Sequence, residues 1–176
     1  MSSRTYRIAK LAPGHDLGAF DCGESTYNEW LTGDAARAVN SGSAVVYVLL
    51  EAEAVGGNDR VVGYFAICPT LVVRDHMPKA LQRGMLRSAP GWLLAKLALD
   101  TSLRGDRSTQ WGRQLLREAL LTIIAAADVG GGQIIVVDPD NAGLVQWYAG
   151  SGFQPTGGPG LRMYMKLATA RSHLLP

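Results

Sequence analysis

Cysteine is scarce in this sequence of 176 residues: Cys22 and Cys68 are the only two. Two thiols cannot build the framework of a disulfide-stapled secreted scaffold. Long apolar runs are missing as well. None approaches the ~20 residues a membrane-spanning helix needs. The N-terminal Met1-Ser-Ser-Arg-Thr-Tyr-Arg7 has no apolar segment of the signal-peptide kind. His15, His76 and His173 show no metal-ligand spacing, so no metal is expected. There is no internal repeat, low-complexity segment or linker. These absences predict a reduced, cytoplasmic protein with no membrane attachment. What remains is 47% hydrophobic and 18% charged, which excludes a disordered tail. A chain of this size buries roughly 70% of its unfolded surface, enough for a single domain over residues 1–176.

Net charge is also small, at +2, which taken alone argues against a nucleic-acid binder. The distribution says otherwise. Residues 1–10 hold three bases and no acid. Residues 11–59 hold eight acids and one base, Arg37. Residues 60–176 are net +6. A basic surface is concealed by the total.

Strands are expected at Thr5–Ala9, Ala44–Leu50 and Val61–Cys68, with Val72 and Val73 extending the last. Gly56–Asp59 reads as the turn of an antiparallel hairpin. A helix is expected from about Glu24 to Val39. Residues 74–90 read as irregular or briefly helical, with Pro78 and Pro90 as breakers. Gly91–Leu99 is an apolar run whose length and following loop favour a strand. Gln110–Asp128 carries Leu115, Leu116, Leu120, Ile123 and Ile124 at helical spacing. Ile134–Val137 is a short apolar strand. A helix from about Asn141 to Ala149 precedes a final hairpin, Phe153–Pro155 with Leu161–Leu167. The tail beyond Ala168 has no clear pattern. The simplest packing is a mixed α/β (α+β) fold, a mostly antiparallel sheet with helices on both faces.

Two stretches carry chemistry. In the first, strand, loop and helix run from Leu93 to Leu120. Free amides at the helix start, with Arg104, Arg107 and Arg113 nearby, suit an anion. A solvated turn with its arginines in water has the same local pattern. The second is Asn141-Ala-Gly-Leu-Val-Gln-Trp-Tyr148-Ala-Gly-Ser-Gly152-Phe153. It reads as a polar helix start, an inward tyrosine and a glycine-phenylalanine return to a strand. An isolated tyrosine of this kind is usually a core residue. The same holds for Trp30, Trp92, Trp111 and Trp147. Cys22 and Cys68 read as small buried residues rather than nucleophiles.

Together these stretches resemble GNAT-fold acyl-CoA N-acetyltransferases. Asn141, Tyr148, Gly152 and Phe153 match the family's Asn…Tyr…Gly-Phe segment. Leu93–Asp100 and the loop after it match its acetyl-CoA segment. Phe20-Asp-Cys-Gly23, Asn28-Glu-Trp-Leu31, Val61-Val-Gly-Tyr64 and Leu93–Asp100 resemble a narrower group, the toxins of type II toxin–antitoxin modules that acetylate aminoacyl-tRNA. The resemblance covers about residues 5–167. It implies acetyl-CoA along Leu97, Ala98 and Leu99, with amides polarising the thioester carbonyl. It implies a pyrophosphate site from Arg104, Gly105, Arg107, Gln110, Trp111, Gly112 and Arg113. Asn141 would contact the cofactor or brace the helix, and Tyr148 would be the general acid. The family also implies a ribbon-helix-helix antitoxin and a homodimer.

One departure stands out. Aligned with the family's pyrophosphate loop, Arg107-Ser-Thr-Gln-Trp-Gly112 carries Gln110 where the central glycine belongs, and the spacing from Asp100 is longer than usual. Either Gln110 adopts the glycine's geometry or Gly105 supplies it. Gly91–Leu99 contains no acid, which favours an α-amine, substantially neutral with pKa near ~8, over a lysine near ~10.4. Glu29 and Glu51 remain as bases from elsewhere. Arg74, Lys79, Arg83 and Arg87, opposed only by Asp75, are candidate tRNA contacts, as are the tail cations Arg162, Lys166 and Arg171. A solvated basic loop is the alternative. Two other functions fit the same residues: acetylation of a small amine or protein N-terminus, and a non-catalytic binding module that kept the fold, which Gln110 would favour.

Overall fold

The protein is described by a computed structural model over residues 4–52 and 59–176. Six-residue β1 (Thr5–Lys10) opens the chain. Helical backbone runs on through α1 (Ser25–Glu29), a π turn (Trp30–Asp34) and α2 (Ala35–Ser41). Strands β2 (Val45–Ala52) and β3 (Arg60–Val73) follow. The expected turn at Gly56–Asp59 falls outside the described residues but for Asp59. After a 3-10 turn come α3 (Lys79–Gln82), β4 (Ser88–Leu99), α4 (Trp111–Gly130) and β5 (Ile134–Val137). The chain closes with α5 (Ala142–Ala149), β6 (Gln154–Pro155), β7 (Met163–Lys166) and α6 (Leu167–Leu174). The strands hydrogen-bond in the order β1-β2-β3-β4-β5-β7-β6, a mixed and mostly antiparallel sheet. No helix among the described residues is long and apolar enough to cross a membrane.

Two compact units divide the chain. The first runs to Ile67 and takes in Lys96–Leu116. In it β1 pairs antiparallel with β2, and β2 with β3, with a register shift between Leu49 and Leu50. Its core contains Val46, Val48, Leu50, Val61, Tyr64, Phe65 and Leu31, all almost fully buried. Tyr64 stands between Phe20, edge-on at 5.5 Å, and Trp30, stacked at 5.9 Å. Its hydroxyl donates to the Tyr27 carbonyl at 2.9 Å, so the aromatic pattern of β3 fixes the helix above it.

The second unit comprises Cys68–Ala95 and Arg117–Pro176. Here β5 pairs parallel with β4, from Gly91 opposite Ile134 to Leu94 opposite Val137. It pairs antiparallel with β7 on its other side. Every residue of β5 is buried, as its four apolar residues predict. Gly91 is required at the parallel contact: a Cβ there would lie 2.5 Å from the Ile134 carbonyl oxygen. Val72, Met77, Ile134, Val136 and Tyr164 form one core cluster, with Leu81, Met85 and Leu93 against it.

Two expectations need correction, and the tail, for which none was formed, takes a definite structure. Pro90 does not break the chain but lies inside β4, where its carbonyl accepts from Gln133 N at 3.0 Å. A proline costs a strand one donor only, and is tolerated where that donor is not used. The tail beyond Ala168 is helical, because Leu167 and Ala170 are both buried. The helix expected from Glu24 to Val39 is interrupted by the π turn at Trp30–Asp34, which places Trp30 on Tyr64 and buries Leu31.

Candidate active site

The end of β4 is fastened by Asp100, which is 2% exposed. Its carboxylate accepts from Asp21 N at 3.0 Å, Ser102 N at 2.9 Å and Arg60 Nη2 at 3.0 Å. Burial pushes its pKa up, but these donors and the Arg60 charge outweigh burial and hold it below the ordinary value. Asp100 N donates to Val62 O and Thr101 N to Asp21 O, both at 2.9 Å. Asp21 Oδ1 in turn accepts from Gly23 N and Asn28 Nδ2, each at 2.8 Å, and Asn28 Oδ1 accepts from Cys22 N at 2.9 Å. The Phe20–Gly23 and Asn28–Leu31 motifs are therefore a hydrogen-bonded clasp on the strand carrying Leu97, Ala98 and Leu99. The pairing of β4 with β5 ends at Leu94, so these three residues lie beyond the paired segment.

The loop from Arg104 to Gln110 is organised by Asp106. Its carboxylate accepts from Ser108 Oγ at 2.6 Å, Ser108 N at 3.0 Å and Thr109 N at 3.3 Å. The Ser108 hydroxyl and these amides hold its pKa down to about 2. Nothing in the sequence motif singled out Asp106; its place two residues before Ser108 was the available signal, since Asp favours such turns. The Asp106 carbonyl accepts from Gln110 N at 3.2 Å. Gly105 has φ of +88°, and Gln110, alone among the described non-glycine residues, has a positive φ, +48°. Positive φ thus occurs at both positions offered for the missing glycine. At α4, Arg113 N and Gln114 N donate to the Gln110 carbonyl at 2.9 and 3.2 Å. The amides of Trp111 and Gly112 are then those that no carbonyl of the helix can accept. The Trp111 ring packs on Tyr6, with centroids 4.3 Å apart.

In the second unit, Asn141 caps α5: its Oδ1 accepts from Leu144 N at 3.0 Å. Of its two expected roles, this is the bracing one. Tyr148 is 6% exposed. Its ring stands edge-on to Trp147 at 4.9 Å and Phe153 at 5.5 Å, and its carbonyl accepts from Ser151 N and Phe153 N. The Tyr…Gly-Phe spacing thus closes a turn around the tyrosine. Burial, and next the Asp140 carboxylate, raise its pKa well above the ordinary tyrosine value.

The basic residues sort clearly. Backbone bonding of Arg74 N to Arg87 O at 3.0 Å closes the excursion between them. Arg74 faces Asp75 at 3.3 Å, whereas Lys79, Arg83 and Arg87 are exposed. Of the tail cations, Arg162 is held by Asp138 through two bonds of 2.7 Å. Glu51, one of the candidate bases, is buried and engaged by Tyr6 Oη at 2.8 Å, Arg4 at 3.4 Å and Arg60 at 4.0 Å. Glu29, the other, is exposed on α1. Cys22 is buried, and burial pushes the Cys68 thiol up, as in packing cysteines. No cluster of three metal-ligating side chains occurs among the described residues.

No family model matches the chain. Two relatives do. A probable toxin TacT of Sinorhizobium fredii is 27% identical over 94% of this chain and 93% of its own length. A tRNA-acetylating toxin of Mycobacterium tuberculosis is 28% identical over 73% of this chain and 72% of its own. Among solved structures, AtaT complexed with acetyl-methionyl-tRNAfMet superimposes with a TM-score of 0.85 at 25% identity, over 96% of this chain and 99% of AtaT. AtaTR bound with acetyl-CoA gives 0.81 at 25%, over 96% and 97%. The chain has the GNAT acetyltransferase fold and, along nearly its whole length, resembles the tRNA-acetylating toxins built on it.

Proposed function

We propose that this chain is an acetyl-CoA-dependent N-acetyltransferase toxin of a toxin–antitoxin module, acetylating the amino group of aminoacyl-tRNA and so blocking translation. The observation that carries the reading is similarity over nearly the full length to toxins of that activity, with Tyr148 and its Gly-Phe turn intact. Acetyl-CoA supplies the acetyl group as an activated thioester. The residues of the first unit fit its diphosphate. Gln110 has the positive φ that a glycine there would supply, the Trp111 and Gly112 amides have no acceptor within α4, and Arg104, Arg107 and Arg113 add positive charge. The positive φ at Gln110 counts against a non-catalytic module, the reading that Gln110 would favour.

Leu97, Ala98 and Leu99 offer backbone amides to the carbonyl oxygen as it gains charge. The attacking amine forms the new C–N bond, the C–S bond breaks, and the amine's proton leaves to water. Tyr148 donates its proton to the departing sulfur. Its raised pKa keeps it protonated throughout the neutral range. Asp100 and Glu51 are both committed to cations and donors, so neither serves as the base a lysine would need. An α-amine, substantially neutral already with pKa near ~8, needs none. The chain works as one catalytic domain in the cytoplasm, as a homodimer, and is neutralised by a ribbon-helix-helix antitoxin.

Induced expression should arrest growth and Tyr148→Phe should relieve the arrest. In vitro the same change should lower transfer to aminoacyl-tRNA by about 10²–10⁴-fold, with acetyl-CoA affinity kept, since the ring contacts survive. Full activity in Tyr148→Phe would refute the assignment.

A further inference from the structure

Within the apolar run Gly91–Leu99 a single residue is charged: Lys96, immediately before Leu97. Its side chain reaches the helical segment that covers Tyr64. The ammonium stands 4.8 Å from the centroid of the Tyr27 ring and 5.8 Å from that of Trp30. Both rings are fixed from behind. Trp30 stacks on buried Tyr64, whose hydroxyl donates to the Tyr27 carbonyl. Lys96 itself is only partly exposed. Among the described residues no carboxylate pairs with it.

An ammonium taken partly out of water with no counter-charge is unfavourable, and the two rings offset only part of that. Methionine or leucine would cover the same rings with no charge to desolvate. Packing alone therefore does not account for a lysine here. Its place in the unit does. A Cβ on Gly63 of β3 would lie 3.3 Å from Leu115 Cδ2, so Gly63 faces α4. The next residue, Tyr64, faces the helical segment on the other side of the strand. Lys96, lying over Tyr27 and Trp30, is on that second side. With the donor's diphosphate at the start of α4, this is the side left to an acceptor. A lysine ammonium also stays within roughly 9 Å of the next residue's amide, here that of Leu97.

We infer that Lys96 is a specificity-determining residue of the acceptor site, whose fixed ammonium disfavours aminoacyl groups with cationic side chains and admits neutral and acidic ones. The inference rests on the proposed function for the identity of the acceptor. Two unit charges about 8 Å apart repel by an amount worth about 2–30-fold, from the dielectric of water to that of a protein surface. The rings hold the ammonium in one place, so the repulsion is not averaged away by motion of the stem. Discrimination by side-chain size is left to other residues.

The test is kcat/KM for acetyl transfer by the full chain to lysyl-, glutamyl- and neutral aminoacyl-tRNAs (glycyl, leucyl and methionyl). The α-amides of the same amino acids serve as acceptors without RNA. Lys96→Met, which keeps a side chain on the rings, should raise the ratio of lysyl to the best neutral acceptor about tenfold. Lys96→Glu should raise it about a hundredfold and lower the glutamyl ratio by as much. Lys96→Arg should leave both ratios at the parent's values. Lost packing lowers every acceptor together, so the ratios separate charge from structure. If the parent acetylates charged tRNA and neither ratio moves in Lys96→Met or Lys96→Glu, the Lys96 inference falls and the functional reading stands. If the expected ratios appear with the amides while no charged tRNA is acetylated, the aminoacyl-tRNA reading falls and the Lys96 inference stands. A drop shared by all the tRNAs, with the amides unaffected, would make Lys96 a phosphate contact and overturn the inference. Transfer to no acceptor overturns both.

Discussion

Gln110 is the residue at which sequence pattern and backbone geometry most directly test each other. Its φ of +48° lies in the left-handed region, which costs an ordinary L-residue roughly 1–2 kcal/mol. Gln110→Gly removes that cost but adds about 0.4–1 kcal/mol of unfolded-state entropy. The net is between zero and about 1.5 kcal/mol of stabilisation, and for a chain of this length the thermal midpoint should rise by at most about 5 °C. Gln110→Val puts a β-branched side chain where even Gln is strained, and a further cost of about 1–2 kcal/mol should lower the midpoint by about 3–6 °C. Acetyl-CoA affinity should follow the same order. Glycine holds the Trp111 and Gly112 amides in place without strain, while valine pulls the first turn of α4 out of position. Differential scanning fluorimetry and calorimetric titration with acetyl-CoA measure the two effects. If the valine variant matches the glycine variant in both, the left-handed backbone at Gln110 is not what shapes the site.

Asp100→Ala strands Asp21 N, Ser102 N and Arg60, which should cost about 2–4 kcal/mol by denaturant titration; a loss below about 0.5 kcal/mol would mean the clasp on β4 is dispensable. Stability should also depend on pH at both extremes. The depressed pKa values of Asp100 and Asp106 contribute stability that is present above the ordinary value of 3.8 and lost as pH falls through the folded values, about 2 for Asp106. The raised pKa values of Tyr64 and Tyr148 contribute stability present below the ordinary value of 10.0 and lost as pH climbs above it. Urea midpoints should therefore be flat between about pH 5 and 9 and decline on both sides; a midpoint rising below pH 4 would contradict these assignments.

Much was legible locally. Four consecutive apolar residues at Ile134–Val137 make a strand buried on both faces, whatever surrounds it. Leucines and isoleucines from Leu115 to Ile124 at helical spacing make α4. The Asn141–Phe153 spacing makes a capped helix closing on a glycine-phenylalanine turn. Each of these follows from contacts a few residues apart, which the chain carries with it. Long-range partners decided the rest. Pro90 stays in β4 because Gln133, far along the chain, supplies the donor to its carbonyl. The tail is helical because Leu167 and Ala170 find a core. Tyr148 departs from an ordinary phenol because burial, which no local pattern reports, disfavours its anion. Among the basic residues only the tertiary pairings separate Arg162, held by Asp138, from Lys79, Arg83 and Arg87, which stay exposed. Residue types and spacing determined which chemistry this protein could perform. Burial and pairing between distant segments decided which of its charged and titratable groups remain free to perform it, because both depend on neighbours that the linear order does not place.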